Sequence, residues 1–225
     1  MIVMEGIAKR VVLPNGQPLE ILTDVSLSVA AGESVAILGR SGSGKSTLLN
    51  LLGLLDMSDA GRYTVDGRDV AELSDRDASR LRGNTFGFVF QQFHLLEGRS
   101  AAANVSGPLQ HAELAAFGSR HRLAGELLDR VGLSGRAKSL PSQLSGGEQQ
   151  RVAIARSLIR NPRCLLADEP TGSLDLETAS TILDLLRQVV ADQRCALVIV
   201  THDPAVANRA DRRLLLESGR LQELA

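Results

Sequence analysis

Aromatic side chains are almost missing from this 225-residue chain: one Tyr, five Phe and no Trp, 3% of the sequence. That scarcity excludes a single-strand nucleic-acid platform, where successive bases stack on rings. It also excludes an aromatic cage for a cation. An excess of one charge sign is missing too. Lys+Arg number 25 against Asp+Glu 26, a net of −1, so there is no general basic surface to displace counterions and no nucleic-acid partner is expected. No apolar stretch approaches the ~20 residues needed to cross a bilayer; runs such as 196–200 are strand-sized. The opening MIVMEGIAKR has no charged leader followed by a long apolar segment, so a cytoplasmic location is expected. The two cysteines, Cys164 and Cys195, each sit beside an apolar run and read as small core hydrophobes.

What is present is globular: 44% hydrophobic residues suffice for a core in one large domain, or in a domain with an inserted lobe. Pro14-Asn15-Gly16 signals a turn. Val25, Leu27 and Val29 alternate with Ser26 and Ser28, the period of a half-buried strand. Residues 34–38 form a compact apolar strand feeding a Gly-rich loop, and the Leu-rich stretch 46–55 predicts a buried helix. Strand, turn and strand are predicted over 61–70, around Asp66-Gly67. From about 72 to 160 helical spacing dominates, as in Leu123, Leu127, Leu128 and Val131, or Val152, Ala155, Leu158 and Ile159. Strands are predicted again at 164–167 and 196–200, with a helix over about 177–191 between them. Strands separated by helices imply an α/β fold with a mainly parallel sheet.

Gly39-Arg40-Ser41-Gly42-Ser43-Gly44-Lys45-Ser46 fits G-x-x-x-x-G-K-[ST] at every fixed position. Such a loop turns tightly enough for successive N–H groups to face phosphate oxygens, at the positive end of the following helix. Lys45 supplies a point charge for the terminal phosphates, the Ser46 hydroxyl can ligate Mg²⁺, and Thr47 completes the predicted ATP-binding set. Chance produces this pattern in roughly one chain in a hundred of this length. Cys164-Leu165-Leu166-Ala167-Asp168-Glu169 is an apolar strand delivering two carboxylates at its C-terminal end, where open α/β sheets bind ligands. Asp168 is placed to hold Mg²⁺ and Glu169 to polarise a water as general base. Both motifs point to a nucleoside triphosphatase.

Leu144-Ser145-Gly146-Gly147-Glu148-Gln149-Gln150-Arg151 opens a helical run and resembles the signature of ATP-binding-cassette (ABC) ATPases. Gln91, in Phe90-Gln91-Gln92-Phe93, resembles that family's Q-loop. Ser173-Leu174-Asp175 resembles its D-loop and Thr201-His202-Asp203 its H-loop. The stretches 52–56, 88–93 and 167–175 are similar to the bacterial lipoprotein-release and macrolide-export group. The resemblance covers nearly the whole chain. It implies a P-loop core with an N-terminal antiparallel β subdomain, made of 1–90 and 160–225, and an inserted helical signature subdomain over 91–159. It further implies a head-to-tail dimer around two ATP molecules, in which Leu144, Ser145, Gly146, Gly147 and Glu148 of one subunit face the other subunit's phosphate loop. Lys45, Gln91, Glu169 and His202 become the expected catalytic residues; Ser46, Gln91 and Asp168 become the expected Mg²⁺ ligands. His94, His111 and His121 have no such context and are expected at the surface.

A separate membrane permease is the implied partner, reached from the cytoplasmic face of the inner membrane. A second reading, ATP-driven signalling to a cell-envelope process without transport, uses the same motifs. Two departures stand out. Members of the family carry an aromatic near residue 11, where adenine stacks; here that place is Val11, which predicts weaker adenine binding and looser ATP/GTP discrimination. The stretch Glu97-Gly98-Arg99-Ser100, expected to meet the partner, also departs from the group's wording. Four of the five phenylalanines, Phe86, Phe88, Phe90 and Phe93, crowd around Gln91.

Overall fold

The computed structural model describes residues 1–109 and 119–224. In chain order its strands and helices are β1 (Ile2–Val12), β2 (Pro18–Val29), β3 (Ser34–Leu38), α1 (Lys45–Leu52), β4 (Ala60–Val65), β5 (Arg68–Asp69), α2 (Asp75–Thr85), β6 (Phe86–Val89), α3 (Ala101–Ser106), α4 (Arg120–Arg130), α5 (Gly146–Leu158), β7 (Cys164–Asp168), α6 (Leu176–Gln193), β8 (Ala196–Thr201), α7 (Pro204–Ala207), β9 (Arg212–Glu217) and β10 (Arg220–Leu224). They build two sheets. One is antiparallel, in the order β2-β1-β4-β5; the other runs β10-β9-β3-β8-β7-β6. In the second sheet β9, β3, β8, β7 and β6 are mutually parallel and β10 alone is antiparallel. The predicted α/β class with a mainly parallel sheet and an antiparallel N-terminal sheet is what the chain adopts.

The central strands are buried on both faces, which is why β3, β7 and β8 are nearly continuous apolar runs. Two cores result. One joins Ile2, Val25 and Val65 of the antiparallel sheet to Leu48 and Leu52 of α1 and to Leu166 and Val198. The other packs α3, α4, α5 and α6 against the opposite face, through Val105, Leu128, Ile154 and Ile182. Cys164 and Cys195 are buried free thiols, and burial pushes both above the usual thiol range, Cys195 to about 11.

Some boundaries differ from the sequence reading. α1 stops at Leu52 with Gly53 as its C-cap, a position where a Cβ would stand 2.4 Å from the Phe88 ring. Within 72–160 the period-two phenylalanines Phe86 and Phe88 lie on strand β6, the edge strand of the second sheet. The β9–β10 hairpin, absent from the predicted elements, turns at Ser218-Gly219 and seats Leu214 and Leu216 in the core. Among the described residues no helix is long and apolar enough to cross a membrane.

Candidate functional site

The C-terminal ends of β3, β7 and β8 open on one side of the sheet, and a cleft of about 780 Å³ lies there. Arg40, Ser41, Gly42, Gly44, Lys45, Ser46 and Thr47 form its floor, with Gln91, Asp168, Glu169 and His202 opposite and Ile21 from the antiparallel sheet at one side. Eleven predicted site residues, from four separate stretches of sequence, therefore converge on one cavity.

The loop from Gly39 to Gly44 depends on the glycines at its two ends. A Cβ on Gly39 would stand 2.4 Å from Ser43 Oγ and 2.8 Å from the Leu216 carbonyl. Gly44 caps α1 at φ 99°, a left-handed backbone that disfavours side chains. Lys45 is buried in spite of its charge, and its Nζ donates to the carbonyls of Gly39 (2.8 Å) and Arg40 (3.0 Å). Ser43 Oγ is buried with no hydrogen-bond partner among the described residues. A cationic, N–H-lined concavity with an unanswered hydroxyl suits an anion rich in acceptor oxygens.

Ser46 Oγ donates to Asp168 Oδ2 at 3.0 Å, joining the head of α1 to the end of β7. Burial raises the Asp168 carboxyl above its usual range; the neighbouring Glu169 charge adds to this, while the Ser46 hydroxyl and Lys45 oppose it. A hydroxyl and a carboxylate are hard oxygen donors of the kind Mg²⁺ prefers. Among the described residues no group of three or more His, Cys, Asp or Glu could hold a metal alone. The pair thus fits an ion whose remaining ligands are phosphate oxygens and water. Glu169 follows in a left-handed backbone, φ 45°. Its Oε2 accepts from Thr201 Oγ1 (3.1 Å) and its Oε1 lies 2.8 Å from His202 Nδ1. The Glu169 side chain is 13% exposed and that of His202 64%, so a shielded carboxylate meets the cleft beside an accessible imidazole.

A family model described as "ABC transporter" matches residues 22–172. The chain belongs to the ABC transporter family, as an ABC-type ATPase. The lipoprotein-releasing system ATP-binding protein LolD of Bordetella pertussis is 53% identical over 207 residues, 91% of this chain and 88% of that protein. The macrolide export ATP-binding/permease protein MacB 1/2 of Paracoccus denitrificans is 46% identical over 222 residues; 98% of this chain spans only 33% of it. Among solved structures the ATP-binding cassette MJ0796, in a dimeric post-hydrolysis state bound to ADP and Pi, superposes with a TM-score of 0.89. It is 37% identical and covers 100% of this chain and 99% of its own.

In this cassette the signature residues stand apart from the cleft: none of residues 144–148 lines it. Ser145 caps α5, its Oγ accepting from the Glu148 N–H (3.2 Å) while Glu148 Oε2 accepts from the Ser145 N–H (2.8 Å). That backbone bond, with Arg136 at 3.0 Å, lowers the Glu148 carboxyl below its usual range. Leu144 is buried, whereas Ser145 and Gly146 are exposed, so a capped helix head presents its free N–H groups outward. Gly147 packs on α6, where a Cβ would be 2.4 Å from Thr178 Cγ2. Of the D-loop, Ser173 is exposed, Leu174 packs on the helical core, and Asp175 caps α6 by accepting from the Thr178 N–H at 3.0 Å. Gln91 reaches this segment, its Nε2 being 3.0 Å from a Cβ position on Gly172.

Val11 is 38% exposed on the β1–β2 hairpin, opposite Leu19, and does not line the cleft; Ile21 of β2 does. Ile21 lines the cleft although no motif named it, and Thr201, named only as part of the H-loop resemblance, holds Glu169. Thr201 had a visible signal, a hydroxyl ending the apolar run 196–200. His94 and His121 are exposed as expected, although His94 also meets Phe90 edge-on at 5.3 Å; His111 lies outside the described residues.

Proposed function

We propose that this cassette hydrolyses ATP to drive a separate membrane permease of the export or lipoprotein/peptide-extrusion type, at the cytoplasmic face of the inner membrane. The single observation carrying the chemistry is the convergence of Lys45, Ser46–Asp168 and Glu169–His202 on one cleft. In this reading Gly39–Thr47 cradle the phosphates and Lys45 neutralises charge on the terminal one. Ser46, Asp168 and Gln91 would hold Mg²⁺, which would supply electrostatic stabilisation of the transferring phosphoryl group. Glu169 accepts the proton of the attacking water, with Thr201 and His202 fixing its two oxygens. The D-loop, Ser173-Leu174-Asp175, meets the second subunit.

The outward-facing α5 head explains why a second copy is needed. A γ-phosphate seated on one subunit's loop would meet the Ser145 hydroxyl and the N–H groups of Gly146 and Gly147 from a second molecule. Closure then favours ATP and hydrolysis releases it, the differential contact that a population shift requires. The division into a catalytic core (1–90 and 160–225) and a helical signature subdomain (91–159) belongs to the same reading.

The permease is proposed to dock in a groove of about 450 Å³ between β6 and α5. Phe88 and Phe90 stack there with centroids 5.8 Å apart. At its rim Arg82 and Arg160 bond only neutral oxygens among the described residues, those of Leu54, Ser79 and Asn84. A partner segment offering an apolar anchor beside a carboxylate complements such a groove. The test is co-purification with a permease-type membrane protein co-expressed with this chain: Arg160→Glu should release it while the isolated cassette keeps its ATP binding. Retention of the partner by that variant would rule the groove out.

A further inference from the structure

We infer that Gln150 is a positioning residue that holds the Glu169 turn to the head of α5, so that engagement of the signature face tunes the base of the chain's own cleft. The inference rests on the ATPase reading above.

Gln150 lies in the second turn of α5 and is fully buried. Its Nε2 donates to the Pro170 carbonyl at 2.7 Å, across 20 residues of sequence. Its Oε1 is buried with no partner among the described residues. Half of this amide is therefore unsatisfied, a cost that a leucine of similar volume would not carry. Stability alone does not account for a glutamine here. Its one bond falls beside Glu169, whose left-handed φ of 45° is a conformation that surrounding contacts must impose. Three contacts do so: the Glu169 N–H donates to Val200 O (3.0 Å), the Gly172 N–H to Glu169 O (3.1 Å), and Gln150 anchors Pro170. The first two lie within the sheet and the turn. Val200 and Thr201 of β8 and the following His202 hold Glu169 from the sheet side; Gln150 ties the turn to α5, the helix that Ser145 caps and Gly146 begins. Gly147 touches Thr178 of α6 on the way, so the α5 head cannot shift without pulling on the segment that orients Glu169.

The test is steady-state Mg²⁺·ATP hydrolysis by the full chain with Gln150→Leu and Gln150→Asn, the latter keeping the amide but losing its reach. Both should lower kcat by about ten- to a hundredfold, the usual effect of a misplaced catalytic group. KM should be unchanged and the ATP dependence should lose its cooperativity. The melting temperature of Gln150→Leu should be no lower than wild type. In a Glu169→Gln background Gln150→Leu should add nothing. A wild-type kcat and cooperativity in both variants would overturn the inference, as would a fall in kcat matched by lower melting temperature and raised KM, or a loss that multiplies with Glu169→Gln. A wild-type chain that fails to hydrolyse ATP at all would overturn the functional reading instead.

Discussion

Replacing Glu169 by Gln isolates the proton-accepting step from everything else the cleft does. The amide has the size of the carboxylate, and its oxygen can still accept from Thr201 Oγ1, now 3.1 Å away. Its NH₂ group can donate to His202 Nδ1, which lies 2.8 Å from the present Oε1. Val200 O and the Gly172 N–H continue to hold the backbone. Folding and phosphate binding should therefore be preserved, since Lys45 and Ser46 are untouched. What is lost is the base. A positioned general base contributes about 10²–10⁴ in rate, or about 3–5 kcal/mol of activation free energy. Turnover should fall by that factor in a phosphate-release assay, with ATP affinity unchanged when measured by equilibrium binding. Because hydrolysis opens the proposed dimer, the variant should also accumulate as an ATP-bound dimer in size-exclusion chromatography. A variant turning over at the wild-type rate would refute the role given to Glu169; a variant that no longer binds ATP would refute the claim that the amide preserves the site.

Burial raises Asp168, so the folded chain binds that proton more tightly than the unfolded chain, and the ionised carboxylate lowers stability near neutral pH. That penalty fades as pH falls through the raised pKa and is gone below the ordinary value of 3.8. Asp168→Asn should therefore melt higher than wild type near neutrality, lose the advantage in acid, and hydrolyse ATP poorly; equal melting curves at both pH values would count against the argument. Gly39→Ala should destabilise by about 1–3 kcal/mol and abolish ATP binding, because its Cβ meets the Leu216 backbone oxygen at 2.8 Å. Gly42→Ala, with nothing within 4 Å of its Cβ, should cost only about 1 kcal/mol of backbone strain; equal losses in thermal melts would contradict this contrast. Val11→Tyr should tighten ATP by about fivefold or more, the weight of one base–ring stack, and unchanged ATP and GTP affinities in a well-folded variant would remove the adenine argument.

Much of this site is legible before folding because its chemistry is local. The phosphate loop needs consecutive residues, so Gly39 to Ser46 announce it, and Asp168-Glu169 end a strand recognisable from four apolar residues. The fold class follows from the same apolar runs at 34–38, 164–167 and 196–200. What escapes is set by neighbours distant in sequence. Gln150 reads as one polar residue among Glu148, Gln149 and Arg151, and only the packing of α5 on the β7 exit shows that it is buried against Pro170. Ile21 faces the cleft because β2 runs beside the phosphate loop, as its closeness to Gly44 shows, and no local pattern reports that. The β9–β10 hairpin is missed for another reason: Arg212, Arg213 and Glu217 flank only three leucines, Leu214 to Leu216, an apolar run too short to mark a strand by itself.

The distribution of rings gives the remaining step of argument. Binding a nucleotide chiefly through its phosphates requires backbone N–H groups, one ammonium and two hydroxyls, all supplied between Gly39 and Ser46, and no ring at all. Ile21 at the side of the cleft, with no ring at Val11 on the nearby hairpin, then leaves grip on the base weak without touching the γ-phosphate contacts on which the proposed closure depends. Rings are instead concentrated in β6 and its exit, where Phe88 and Phe90 stack and the Phe93 carbonyl accepts from Arg156 of α5 at 2.7 Å. Burial lowers the Arg156 guanidinium from its usual range, and the residue lies on the same helix whose head carries the signature. A load applied to the aromatic groove is thus transmitted along α5 to Ser145 at one end and Gln150 midway. In this arrangement the affinity that matters for work is the difference between ATP and ADP, which the base cannot supply, so a cassette can dispense with the adenine stack while keeping the rings of the proposed docking groove beside α5.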